Sequence, residues 1–394
     1  MNGGIRIVLK VSLSLCMIFC LILASSARPS FAAEPIKIGT IMSITGWAGF
    51  IGTPQKEVFN AMIDDINAKG GVGGRPLELY YEDDKSIPTN AVLAATKLIK
   101  DKKVIAIVGT STSDSALAIV PLCEQEKVPF INSGPARILF KKWIFSCGPG
   151  DERGAKHLLD FAVKDLGAKK IALLYSVDAM GTLGQKVITG EMSKYPGVSI
   201  VSQESFEPAD TNMIPQLTKV KSINPDLIIL FTTGGAASIV AKNYKQLGMT
   251  TQVLGGSSIT MPDFYNIAGK IAEESKWIFL SQPLMIVDKM APNDPYRKNV
   301  WEPAEKFMQD KYGPNKHITM FHASTFDALW GILGALKICA PKADSASVRD
   351  ALEKVKIEAF IGSFAPTPTD HQGAQVDPMR PMILKGGEYV PYTK

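Results

Sequence analysis

The sequence predicts an α/β protein built as two lobes. Short apolar runs alternate with longer amphipathic ones, and this alternation begins afresh near residue 157. The chain of 394 residues is also long enough for about two domains of ~150 residues each.

Ile36–Met42 (IKIGTIM) reads as the first strand, and residues 53–69 as a helix with Val58, Met62 and Ile66 on one stripe. The run Gly70-Gly71-Val72-Gly73-Gly74 ends that helix, and Leu77–Asp83 is the next strand. Residues 91–100 are helical, 104–108 (VIAIV) a strand, 116–125 a helix and 129–132 (PFIN) a strand. Strands separated by helices indicate a parallel sheet covered on both faces. The second series has a helix at 157–166, a strand at 170–175, a helix at 184–194 and a strand at 198–203. It continues with a helix at 214–221, a strand at 226–231, a helix at 237–247, a strand at Gln252–Gly255 and another at 277–281. Helices at 303–311, 324–338 and 348–355, a Pro- and Thr-rich loop at 365–373 and a hairpin around Gly386-Gly387 complete the chain. Two such sets amount to two Rossmann-like lobes.

Composition narrows the function. The chain is 46% hydrophobic and 21% charged, which places it among globular proteins and excludes a disordered tail or a collagen-like repeat. Its formal net charge is +5, and Arg6, Lys10 and Arg28, with no acid before residue 33, account for three of those charges. The near-neutral remainder offers no concentrated basic face for nucleic acid.

The N-terminus has the layout of a secretory signal peptide. Arg6 and Lys10 precede an uncharged run at 11–26, and Ser30-Phe31-Ala32 places small residues where a signal peptidase reads them, with cleavage after Ala32. A membrane anchor is the rival reading, although the run falls a little short of the ~20 apolar residues that span a bilayer. A lipoprotein signal is disfavoured, because Met-Ile-Phe precedes Cys20 and Ser-Leu precedes Cys16, with no small residue directly before either cysteine. No later segment is apolar and long enough to span. The expectation is an exported, periplasmic protein with no membrane insertion after the signal is removed. Of the remaining cysteines, Cys123 and Cys147 could meet across one helix–strand step, or all three with Cys339 could be buried free thiols.

Catalytic and cofactor motifs are missing. The glycines at 70–74 follow a helix and open a strand, the reverse of a phosphate-cradling loop, and read as a turn. His157, His317, His322 and His371 form no metal-binding helical pair, and no serine sits in a G-x-S-x-G elbow. Asp64-Asp65 and Asp83-Asp84 read as solvated or capping acids, since neighbours on a helix or strand point apart. Neither an enzyme nor a cofactor is expected.

Polar groups gather instead just past strand ends, where open α/β sheets hold ligands. After the strand at 104–108 comes Gly109-Thr110-Ser111-Thr112-Ser113-Asp114-Ser115-Ala116, rich in hydroxyls and exposed N–H groups at a helix start and suited to a carboxylate. Asp114 and Ser115 are better read as ordinary N-caps. After the strand at 129–132 comes Ser133-Gly134-Pro135-Ala136, where Gly134 permits close backbone approach and Pro135 lacks an N–H.

These residues carry a family resemblance over essentially the whole chain after the signal. The words "IKIGTIMSITG", "AMIDDINAKGGVGGRPLELYYEDD", "VIAIVGTSTSDSALAIVPLCEQEKVPFINSGPA", "DLIILFTTGGAASIVAKNYKQLG" and "FHASTFDAL" resemble the Leu/Ile/Val-binding group of periplasmic substrate-binding proteins that serve ABC importers. The resemblance implies a type I periplasmic binding protein: two lobes joined by a three-crossing hinge, closing on a small-molecule solute for ABC permease subunits. The crossings would fall near 148–151, 281–283 and 362–366, giving an N-terminal lobe of 33–150 plus 282–362 and a C-terminal lobe of 151–281 plus 363–394.

The resemblance also implies site residues. Ser113 takes the place of the carboxylate-binding serine, and Gly134, Pro135 and Ala136 form the second contact loop, with Ala136 where a threonine is usual. Trp47 and Phe50 form one aromatic wall and Phe321 another. The second lobe departs from the family: Met180 and Thr233 stand where tyrosines are usual, and Ser257 where an acid pairs the ligand's ammonium. A buried ammonium without such a partner costs several kcal/mol, on the order of the whole useful affinity. Retaining Ser113 while losing the acid favours an aromatic or aliphatic carboxylate without an amine. The alternative is a branched-chain or other apolar amino acid, its ammonium taken by a displaced acid such as Asp178, Asp263 or Asp114. A sensory ligand-binding module is disfavoured, and a helix-turn-helix regulator is excluded by the absence of a basic DNA-reading element.

Overall fold

The computed structural model describes residues 34–393 apart from Trp47, Pro135, Arg137, Leu139, Phe140, 148–150, Thr233, Met261, Pro341 and 374–378. The signal sequence expected at 1–32 lies outside the described residues.

The first sheet is parallel in the order β2-β1-β3-β4-β5. Its strands are β1 (Ile36–Met42), β2 (Leu77–Asp83), β3 (Ala106–Gly109), β4 (Phe130–Asn132) and β5 (Ile144–Ser146). Helices α1 (Gly49–Ala68), α2 (Pro88–Lys97) and α3 (Ser113–Glu126) connect them. Alternation along the strands divides the core between the two faces. Ile38, Met42 and Val108 pack on one side with helices that arrive much later in the chain, and Ile41, Ile107 and Phe130 on the other with α2 and α3.

The second sheet begins after α4 (Asp151–Asp160) and contains β6 (Lys170–Ser176), β7 (Ser199–Phe206), β8 (Leu227–Phe231), β9 (Gln252–Gly255) and β10 (Ile278–Ser281). Between them lie α5 (Ala179–Glu191), α6 (Ile214–Ile223), α7 (Gly234–Gln246) and α8 (Pro262–Glu274). An antiparallel hairpin of β13 (Arg380–Lys385) and β14 (Glu388–Pro391) adds to the β10 edge, giving the order β14-β13-β10-β9-β8-β6-β7. Ala172, Leu174, Ile228 and Leu230 face one core, and Ile171, Leu173, Leu227 and Ile229 the other.

The remaining helices return to the first sheet. They are α9 (Glu302–Tyr312), α10 (Met320–Cys339) and α11 (Ser345–Leu352), followed by the short ribbon of β11 (Ile357–Ala359) and β12 (Gly362–Phe364). The chain therefore leaves the second sheet after β10, with Ile286 in the second core and Val287 in the first. It does not cross back at 362–366: Phe364 packs in the first core, His371 stacks on Phe145 at 4.0 Å, and Ser146 N–H donates to the His371 carbonyl. Met379 packs in a core of the second sheet, and 374–378 lie outside the described residues. The expected crossing at 148–150 lies outside the described residues.

Both sets open with the same close approach. In the first, Gly52 of α1 sits so near the Ser43 carbonyl beyond β1 that a Cβ there would collide with it; in the second, Gly181 of α5 does the same against Ser176 at the end of β6. Only glycine lets the helix start this close to the strand end.

Of the two readings of the cysteines, free thiols hold. Cys123, Cys147 and Cys339 are free, and Cys123 and Cys147 pack in cores on opposite faces of the first sheet, so the sheet separates them. Burial pushes the Cys123 thiol up to about 12, with Glu124 adding to it. Cys339 is half-buried rather than buried. Among the described residues, no helix is long and apolar enough to cross a membrane.

Candidate functional site

The C-terminal ends of β1, β3 and β4 bring three polar loops together. Helix α3 starts at Ser113, and Thr112, rather than the expected Asp114 or Ser115, is its N-cap, accepting from Ser115 N–H at 3.3 Å. Ser113 is left half-buried in the first turn, its hydroxyl not used by the cap. Asp114 is exposed, while Ser115 is buried with an unpartnered Oγ. The neighbouring loop is fixed by Asn132, which donates to the carbonyls of Gly134 and Ala136 at 3.1 and 3.3 Å and accepts from Gly134 N–H at 3.0 Å. Gly134 touches the first loop closely enough that a Cβ would lie 3.0 Å from the Thr110 carbonyl oxygen. Ser113, Gly134 and Ala136 thus share one sheet end, whereas Pro135 lies outside the described residues.

Behind these loops lies a buried polar network. Gln55 of α1, 1% exposed, accepts from Ser111 Oγ at 2.6 Å and reaches with Nε2 to the Thr110 carbonyl and Ser133 Oγ, each at 3.4 Å. Ser111 Oγ accepts from Ser43 N–H at 2.9 Å, and Ser43 Oγ donates to Asp84 at 2.7 Å. Asp84 is therefore buried in this network rather than solvated. Asp83 caps no helix but ties down the loop after β1, accepting from Thr45 Oγ1 at 2.6 Å and from the N–H groups of Lys85, Thr45 and Ile44. These bonds hold its pKa below the usual range against the opposing effect of burial.

Two of the aromatic residues expected at the site touch each other. Phe50, at the start of α1, and Phe321, at the start of α10, lie 5.7 Å apart in an edge-to-face pair. Trp47 lies outside the described residues. Glu57 ties the two helices just behind the rings, receiving Lys316 Nζ and, at 3.0 Å, His322 Nε2. Burial lowers the His322 pKa, with the Lys316 charge adding to it. Neutral imidazole fits the bonds: Nε2 carries the proton given to Glu57, and Nδ1 accepts from Thr319 N–H at 3.0 Å. For Glu57 itself burial works upward, yet the bonds from Lys316 and His322 prevail and leave its pKa below the usual range.

The second sheet end is lined by hydroxyls. Ser176 and Thr232, at the ends of β6 and β8, are buried with unpartnered Oγ atoms. Ser258 donates to the Thr232 carbonyl at 2.8 Å. Half-buried Ser257 gives its carbonyl to Thr260, turning the chain toward α8. Met180 is half-buried against the second core, so part of it is packing. Thr233 lies outside the described residues, as does the side chain of Asp263. Asp178 stands at the end of β6, half-buried, with one carboxylate oxygen capping α5 through Gly181 N–H at 2.8 Å.

A chain of this architecture, with its candidate residues near the ends of one parallel and one mixed sheet, has relatives. Residues 35–388 match the periplasmic binding protein family. This chain belongs to that family. The Leu/Ile/Val-binding protein homolog 3 of Brucella melitensis is 25% identical over 342 residues, 85% of this chain and 88% of the relative. An extracellular ligand-binding receptor from Rhodopseudomonas palustris superposes with a TM-score of 0.71 at 25% identity, covering 92% of this chain and all of that one. The branched-chain amino acid transporter substrate-binding protein LivJ of Streptococcus pneumoniae, solved with isoleucine, gives 0.66 at 24% identity, covering 90% and 97%, which speaks to the fold alone.

The fold is type I, two α/β lobes with chain crossings between them. The relatives are named for binding rather than for catalysis. Sequence reasoning missed Gln55, Glu57 and His322. The one signal for Gln55 was its place on the apolar stripe of α1, three residues before Val58.

Proposed function

We propose that the chain, once its signal is removed, is the periplasmic receptor of an ABC importer, capturing an apolar amino acid between its lobes and presenting it to permease subunits. The lobes would comprise 34–147 with 290–373, and 151–281 with 379–393. The observation that carries the reading is the hydroxyl of Ser113, left over by the Thr112 cap at the N-terminus of α3, where the helix dipole favours a carboxylate. Gly134 and Ala136, at the same sheet end, would flank that position, and the Phe50–Phe321 pair would receive an apolar side chain. Met180, Thr233 and Ser257 would contribute from the second lobe, with Trp47 and Pro135 completing the first. The Leu/Ile/Val-binding names of the relatives support an amino acid over a plain acid. Asp178 would then stand in for the acid that Ser257 replaces, using the carboxylate oxygen that does not cap α5.

Ser257 also supports a second reading, an aromatic or aliphatic carboxylate without an amine, since an unpaired ammonium in the closed site would be strongly disfavoured. Closure follows for either ligand from contacts made in both lobes, which shift an open–closed equilibrium. The test is a thermal-shift screen of residues 33–394 with leucine, isoleucine and valine beside benzoate, phenylacetate and 4-methylpentanoate. A ligand at one hundred times its Kd adds ~2.7 kcal/mol to stability. Shifts with the amino acids alone support the first reading, and shifts with the amine-free acids alone support the second.

A further inference from the structure

We propose that Gln55 is a positioning residue for solute capture, whose single side-chain amide sets the two loops that meet the ligand's carboxylate. The proposal rests on the solute-binding reading above, but not on which solute is bound. A glutamine amide offers an acceptor on one side and donors on the other, and here both sides are used. The Oε1 atom accepts from Ser111, two residues before Ser113, and Nε2 reaches Ser133, the residue before Gly134, and the Thr110 carbonyl between them. Ser133 Oγ donates to the same carbonyl at 3.3 Å, and Ser43 N–H joins through Ser111. The ends of β1, β3 and β4 are therefore tied at one buried point on α1.

The residue type matters. Leucine or methionine would fill the space on the stripe beside Val58 and Met62 but leave Ser111 and Ser133 without these partners. Glutamate would keep an acceptor for Ser111 but turn an anion toward the Thr110 carbonyl and toward the place where the ligand's carboxylate would sit. Glutamine holds both loops in the absence of ligand, so capture need not order them, and preordering of this kind appears as affinity.

The experiment compares wild type, Gln55→Met and Gln55→Glu, each as residues 33–394. Titration calorimetry uses isoleucine and phenylacetate as probes, and hydrogen exchange is read by mass spectrometry without ligand. Gln55→Met should bind the active probe at least about tenfold more weakly. Its exchange should rise in peptides spanning 107–116 and 130–136, while those spanning 170–176 and 227–231 stay as in wild type. Gln55→Glu should concentrate its excess exchange in 130–136, because the acceptor for Ser111 survives. Unchanged exchange in both loops overturns the proposal, as does a rise spread evenly over both lobes, which would mark general destabilisation. If wild type binds neither probe, the ligand classes fail, and the exchange pattern still decides the role of Gln55.

Discussion

The ring of Phe50 meets the ring of Phe321 edge-on at 5.7 Å, joining the first turns of two helices that begin some 270 residues apart in sequence. The pair is open to solvent: Phe50 is 60% exposed. An aromatic pair contributes ~0.5–1.5 kcal/mol beyond the area it buries, yet so exposed a residue adds little to the ligand-free fold. Phe50→Ala should therefore leave the melting temperature of the ligand-free protein nearly unchanged and weaken an apolar ligand by about tenfold. Calorimetry beside a melt checks both halves, and an unchanged Kd would remove Phe50 from the binding surface.

Ser113 offers a cleaner separation of binding from folding. Because Thr112 caps α3, Ser113→Ala removes no capping bond, and the ligand-free protein should melt as wild type does. A hydrogen bond to a charged group is worth ~1.5–3 kcal/mol, so affinity for a carboxylated ligand should fall by roughly tenfold to a hundredfold. Thr112→Ala should do the reverse, costing ~1 kcal/mol of stability through the lost cap. Equal affinity in wild type and Ser113→Ala would place the carboxylate elsewhere.

Much of this was readable in the sequence because strands and helices bury residues with different periods. Ile38 and Met42 against Ile41, or Leu174 against Leu173, announce a sheet covered on both faces, and the repetition of that pattern announces the second lobe. Period identifies a buried face but not a polar partner. Gln55 on its stripe looks like any tolerated glutamine until Ser111 and Ser133, on separate loops, are brought to it. The same limit applies to the cap of α3: Asp114 and Ser115 are of capping type, but the extended backbone at Thr112 makes that residue the cap. Cys123 and Cys147 are close in sequence, but β4 and β5 carry the chain through the sheet plane between them. Phe364 and His371 stay packed with the first lobe, the latter on Phe145, through contacts that no local pattern reveals.

Asp327 links stability to alkaline pH. It lies fully buried on α10 and accepts from Phe360 and Ile361 N–H at 2.7 and 3.0 Å. Burial pushes its pKa up to about 8, against the pull of those two bonds. The folded protein thus keeps a proton that the unfolded chain gives up near its ordinary value of 3.8. The stabilisation is complete below that value and is lost as pH rises through about 8. Asp327→Asn cannot titrate, but its amide nitrogen cannot accept the second N–H, so it should be less stable at pH 6 by ~1–3 kcal/mol. Its stability should also decline less steeply than that of wild type between pH 6 and 9. Parallel curves from urea titrations would show that Asp327 does not carry the dependence.

On the acid side the Glu57–His322 tie should dominate near neutrality. Burial and the Lys316 charge hold the His322 pKa below 6.5, against the pull of Glu57 and Glu305. As pH falls through 6.5 the unfolded chain takes up a proton first, so folding loses stability. Glu57, whose folded pKa lies below its ordinary 4.5, adds its own loss only at lower pH. His322→Gln keeps a donor for Glu57 and an acceptor for Thr319 without titrating, and should flatten the decline between pH 7 and 5. Glu57→Ala strands the His322 donor, which costs ~1–3 kcal/mol, and loosens the α10 start that carries Phe321. Its affinity for an apolar ligand should fall with its stability, whereas His322→Gln should bind as wild type does at pH 7. Melts at stepped pH with calorimetry at pH 7 test the pair, and a wild-type acid slope in His322→Gln would assign it to another group.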